Sequence, residues 1–185
     1  MLAVCSASAS IHLASLTSYR KSLIVALLFS RLDYCSATLA GLPNQLMDRL
    51  QSVQDAAARL IFKACRQDHI QPLLRRLHWL RMPERISFRL AVLVYRCLHG
   101  SAPGYLASDL QRVSHLNARR PLRSLSTSSL VAPRTVRSII GDCTFPATAV
   151  SVWSSLPETV RSSPSLQVFR CRLKTKLFAC SYRHD

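Results

Sequence analysis

The chain has 185 residues, 49% of them hydrophobic, and a formal net charge of +16. That apolar content excludes global disorder, which goes with low hydrophobicity, and the length suits one domain, or one with a loosely attached tail, burying on the order of two-thirds of its unfolded surface. Only nine acids are spread along the sequence, which argues against a two-metal nuclease or polymerase site, because such a site needs converging carboxylates.

Residues 1–17 are apolar and rich in small side chains. No cation precedes them, so they make a poor secretory signal, and they are expected to form a poorly ordered extension. A first helix is predicted from about Tyr19 to Ala40. It is apolar almost all round near Leu23–Phe29, which predicts a central, buried position. That seven-residue run, bracketed by Lys21 and Arg31, is far shorter than the ~20 residues needed to span a bilayer. Gly41 and Pro43 stop the helix, and Asn44 is a good N-cap for the next. Leu46, Leu50, Val53, Ala57, Leu60 and Ala64 then recur at helical spacing as one helix-pairing seam, with Arg59 and Lys63 off it. Pro72 suits the first turn of a short helix reaching about Leu80. Pro83-Glu84 opens a fourth helix carrying Ile86, Leu90, Leu93, Val94 and Cys97 inward and ending at Gly100. A turn of helix follows from Pro103 to Leu110.

The composition shifts between Gln111 and Gly141, where six arginines (112, 119, 120, 123, 134, 137) meet no acid and many Ser and Thr. This stretch reads equally as a basic linker or as a short β-hairpin built on 130–132 and 135–140. Phe145–Trp153 is predicted helical, closed by Leu156-Pro157. Ser163 or Ser165 caps a last helix with Leu166, Phe169, Leu173 and Leu177 inward. The expected fold is therefore mainly α: a small helical bundle over 18–110, a basic irregular or hairpin segment over 111–141, a C-terminal helical segment over 142–180, and a tail at 181–185.

Of 25 cations only Lys21, Lys63, Lys174 and Lys176 are lysine. Arginine's planar fork matches phosphate oxygens and its face stacks on bases. The bias points to nucleic acid; arginine-favouring codon usage and an acidic protein partner are the alternatives. Three candidate binding surfaces emerge. Arg81, Arg85, Arg89 and Arg96 form a stripe beside the apolar face of the fourth helix. Arg112, Arg119, Arg120, Arg123, Arg134 and Arg137 crowd the central segment, and Arg170, Arg172, Lys174 and Lys176 lie on the last helix. With about six to ten of these on phosphates, binding is expected to be steeply salt-dependent and weakly sequence-specific. The aromatics that might stack on bases, Tyr95, Tyr105 and Trp153, read better as core, as does Trp79.

The sequence offers little to catalysis. There is no G-x-S-x-G elbow and no Gly-rich phosphate loop, since the four glycines stand singly. Asp68 and His69 are adjacent and diverge around a helix start. Seven scattered cysteines without a C-x-x-C pair do not make a zinc site; they read as reduced thiols in an intracellular compartment, nucleus or cytoplasm. No cofactor, metal, membrane or small-molecule substrate is expected.

Seven short segments occur in a characteristic order: Ser30-Arg31-Leu32-Asp33-Tyr34-Cys35, Gln54-Asp55-Ala56-Ala57-Ala58-Arg59-Leu60, Asp68-His69-Ile70, Leu77-His78-Trp79-Leu80, Tyr95-Arg96-Cys97-Leu98-His99-Gly100, Trp153-Ser154-Ser155-Leu156-Pro157, and Phe169 to Phe178. In that order and spacing, from about Ser18 to Phe178, the chain resembles the region that follows the polymerase core in non-LTR (LINE-type) retrotransposon reverse transcriptases. It departs from them at Ser154, where asparagine is usual, at Arg81, where proline commonly follows His-Trp-Leu, and at Cys143, where a basic residue is common. The resemblance implies a non-catalytic C-terminal part of an RNA-directed DNA polymerase. Its partners would be template RNA or an RNA–DNA hybrid, held through phosphates, together with the missing core. The family's paired-aspartate motif lies upstream, so no catalytic residue maps here. A free-standing basic interaction protein, or a decayed element copy, with no polymerase role is the alternative.

Overall fold

Among the described residues Ser165 caps a helix start with its side chain, whereas His69, Pro103, Thr144 and Pro157 precede helices without a side-chain cap bond. The structure, a computed structural model, describes residues 18–34, 41–110, 130 and 144–182. Among these the architecture is mainly α-helical, with no strand. The expected basic linker or hairpin at 111–141 lies outside the described residues except for Leu130, which is buried. The 1–17 extension lies wholly outside them. The described residues divide into two compact units, the first holding 18–34 and Asn44–Met82, the second 41–43, 83–110, 130 and 144–182.

In the first unit, α1 is helical over 18–33 and contains a π-helical stretch, Val25–Phe29, followed by Ser30–Asp33. The expectation of a central, buried helix is overturned. Only Phe29 is buried, edge-on to Trp79 with ring centroids 4.6 Å apart, while Tyr19, Leu23, Val25 and Leu27 are exposed. The described part of the unit packs one side of α1, and an all-round apolar helix then shows its other side.

α2 (Asn44–Phe62) buries Gln54, Ala57, Ala58 and Ile61. The apolar seam read from sequence is therefore only partly inward: Ala57 is buried and Leu50 and Ala64 half-buried, but Leu46, Val53 and Leu60 are exposed. The reason is polar. Gln54 Nε2 donates to the Leu80 carbonyl at 2.8 Å, and Gln51 Oε1 accepts from the Met82 amide at 2.9 Å. Two amides thus tie α2 to the segment that opens the next long helix, satisfying a backbone amide that has no intrahelical partner. Gln54 is fully buried.

α3 (Ile70–Leu77) packs on α2, burying Leu74 and Leu77 and leaving Arg75 and Arg76 exposed. Arg76 lies over the Phe62 ring, 4.8 Å from its centroid. Both helices end on a non-glycine residue in the left-handed region, Lys63 (φ 53°) after α2 and His78 (φ 54°) after α3. These turns let Ala64 N–H reach the Arg59 carbonyl (3.0 Å) and Trp79 N–H reach that of Leu74 (3.1 Å). His78 is thus an exposed residue closing α3.

α4 (Met82–Leu98) starts on the last residue of the first unit and runs through the second. It is followed by α5 (Gly104–Ser108), α6 (Phe145–Ser154), α7 (Glu158–Arg161) and α8 (Leu166–Ser181). The second unit's core gathers Ala91, Val94 and Tyr95 of α4, Ala149 and Trp153 of α6, and Phe169 and Leu173 of α8. Tyr95 is its hinge-pin: its ring stacks on Phe169 (4.5 Å) and His99 (3.9 Å), and its hydroxyl donates to the Ser163 carbonyl at 3.0 Å. Ser165 caps α8, accepting from the Val168 amide, and Gly100 (φ 67°) follows the end of α4.

Candidate nucleic-acid interface

The basic residues singled out from sequence fall into three groups with different fates. On α4, Arg85, Arg89 and Arg96 lie within an arc of about 40° around the helix axis, counting about 100° per residue. The most deeply buried side of the helix, Leu90, Ala91 and Val94 at no more than 1% exposure, faces nearly the opposite direction. The arginines stand across from that side along the body of the helix, while buried Met82 and Ile86 in its first turns lie closer beside them. Arg89 and Arg96 are exposed and Arg85 is half-buried. Arg81, also exposed, immediately precedes the helix and belongs to the first unit.

The last helix is less concentrated. Arg170, Arg172, Lys174 and Lys176 are all exposed, yet they form two i,i+4 pairs about 160° apart. Arg170 with Lys174 flanks one side of the buried Phe169–Leu173 stripe, and Arg172 with Lys176 flanks the other. Arg172 has a structural duty as well: its Nη1 donates to the Thr159 carbonyl in α7 at 2.8 Å. Arg112, Arg119, Arg120, Arg123, Arg134 and Arg137 lie outside the described residues.

Of the candidate stacking aromatics, Tyr95 and Trp153 are core, as expected, at 3% and 1% exposure. Trp79 is core too. Tyr105 is not: α5 turns Leu106 and Ala107 inward and leaves Tyr105 71% exposed. A five-residue helix has room for one inward pair, and the aromatic loses to the smaller aliphatics.

Sequence reasoning missed a further basic cluster. Arg20 of α1 and Arg59 of α2, with Lys63 just past its end, line one open depression of about 580 Å³ in the first unit. The signal was present, because residues 59 and 63 are one helical turn apart, but both were read as solvated positions off an apolar seam.

The chemistry available at these surfaces is ionic and hydrogen-bonding. Among the described residues no three His, Cys, Asp or Glu side chains gather to hold a metal ion. His99 is committed to its own helix, Nδ1 lying 2.8 Å from the Tyr95 carbonyl. Burial pushes the Cys97 thiol above its ordinary pKa, against a smaller opposing pull from the Arg96 charge; a buried thiol of this kind is a poor nucleophile. No described helix is long and apolar enough to cross a membrane. No family model, no curated protein and no solved structure matches the chain.

Proposed function

We propose that this chain is the non-catalytic helical region that follows the polymerase core of a non-LTR retrotransposon reverse transcriptase, and that it grips RNA or an RNA–DNA hybrid by the phosphates. The reading draws on the seven ordered segments, on the arginine bias and on the mainly helical architecture. The observation that carries it is the α4 stripe, three guanidiniums on the side of the helix turned away from the core. Arginine presents parallel donors to phosphate oxygens, and a row along one helix face follows a backbone without reading bases. In this role the chain works inside the cell, in nucleus or cytoplasm, where its exposed thiols Cys65, Cys171 and Cys180 stay reduced.

Titration of labelled single-stranded RNA at about 50 and 200 mM salt tests the contact. Each neutralised phosphate contributes about 0.7 to the slope of log affinity against log salt, so about six contacts predict a loss of at least a hundredfold. Equal affinity at both concentrations, or none at either, overturns the binding claim. Adding the chain to a polymerase core that lacks this region, and following primer extension, tests its role in DNA synthesis. A second reading, a free-standing basic interaction protein with no polymerase role, draws on the exposed apolar side chains Leu27, Val53 and Leu60 of the first unit and is removed by a gain in extension.

A further inference from the structure

The first unit leaves one of its two apolar ridges on α2 unused. Gln54, Ala58 and Ile61 are spent on packing, whereas Val53 and Leu60 remain 45% and 64% exposed. Together with Ala56, Ala57 and, from α1, Ile24, Leu27 and Leu28, they line an open apolar depression of about 540 Å³. It shares Ala56 and Leu60 with the basic depression lined by Arg20, Arg59 and Lys63. The two are one continuous groove, apolar at one end and cationic at the other.

We infer that this groove receives an amphipathic helix of a partner protein, carrying leucine-like residues along one face and carboxylates at one end. The inference goes beyond nucleic-acid binding and does not rest on it. Three observations support it. Val53, Ala56, Leu60 and Ala64 on α2, and Arg20, Ile24, Leu27 and Leu28 on α1, recur at the spacing with which helices interdigitate. From Val53 to Lys63 the groove runs about 15 Å, room for about three turns of an added helix, and the alanines in its floor allow close approach. Among the described residues no acid lines either depression: Asp55, on the same helix, is held by Gln51 Nε2 at 2.7 Å.

Charge also chooses among occupants. A second copy of the chain would bring Arg20, Arg59 and Lys63 against another cationic surface, which like-charge repulsion disfavours. RNA would leave the apolar floor uncovered.

The test uses the full chain and two fluorescein-labelled, 15-residue helical peptides. Both carry the same leucine face, one with three glutamates at one end and the other with three lysines there. Fluorescence anisotropy is expected to show the glutamate peptide binding at least tenfold more tightly. Lys63→Gly puts glycine at a left-handed position, so it keeps the fold while removing a cation, and it should weaken that binding several-fold. Leu60→Ser should weaken both peptides. Equal binding of the two peptides, binding of neither, or full displacement of the glutamate peptide by an RNA oligonucleotide overturns the inference. So does a self-association in sedimentation that Leu60→Ser abolishes.

Discussion

Single residues carry more of this fold than its helix count suggests. Gln54 is fully buried, and its amide holds the carbonyl of Leu80. Gln54→Ala should cost about 1–3 kcal/mol in chemical denaturation, because it strands a buried acceptor. Tyr95→Phe keeps the stack on Phe169 but removes the bond to Ser163, with a similar expected loss of about 1–3 kcal/mol. Lys63→Gly goes the other way, gaining about 0.5–1 kcal/mol where the present side chain is held at positive φ. The thiol of Cys97 is protonated in the folded chain over a range where the unfolded chain has lost that proton, since burial raises its pKa. The folded state then binds more protons, so stability falls as pH rises past the ordinary thiol range. Cys97→Ala should flatten that alkaline decline; an unchanged pH profile would remove the thiol as its source. Glutamine, tyrosine hydroxyl and thiol contributions of this kind leave no periodic trace, so none was legible in the sequence as a contact.

At the scale of elements, the ends of helices were readable and their orientations were not. Pro83-Glu84, Gly100 and Ser165 mark the bounds of α4 and α8 because caps act locally, whereas Asn44, expected as the cap before α2, is its first helical residue. The inward side of α2 was only partly read: Ala57 of the expected seam is buried, but hydrophobicity ranks Val53 and Leu60 above Gln54 while the structure ties down the amide. The same cause hid the groove. Its exposed ridge and the packed one should respond differently to truncation. Val53→Ala and Leu60→Ala are expected to change stability by no more than about 0.5 kcal/mol, whereas Ile61→Ala, at 1% exposure, should cost about 2–4 kcal/mol. If thermal denaturation shows equal losses, the assignment of faces is wrong. On α4 the periodicity groups Arg85, Arg89 and Arg96 on one side of the helix, whereas Arg81, the fourth arginine of the expected stripe, precedes the helix.

For the molecule as a whole, a net charge of +16 makes electrostatics the dominant long-range force and ionic strength its control. Replacing Arg89 and Arg96 by alanine should lower the salt slope of RNA binding by about 1.4, at about 0.7 per lost phosphate contact. Replacing Arg172 should lower it less and destabilise α7–α8 packing, because that guanidinium already serves Thr159. An unchanged slope in the double variant would place the phosphate contacts away from α4. Apolar spacing and the helix-bounding residues gave the helical class and the arginine bias the polyanion reading; the distribution of charge between two units required coordinates.

The wide stretch Val25–Phe29 in α1 has its own corollary. Such a turn accommodates one residue more than regular winding, so everything before it is phased about 100° away from where an uninterrupted helix would set it. Deleting Ala26 would restore even winding and swing Arg20 out of line with Arg59 and Lys63. Ala26→Ser, which conserves length, would leave that alignment intact. Insertion and deletion, rather than substitution, are thus the changes to which this rim is most vulnerable.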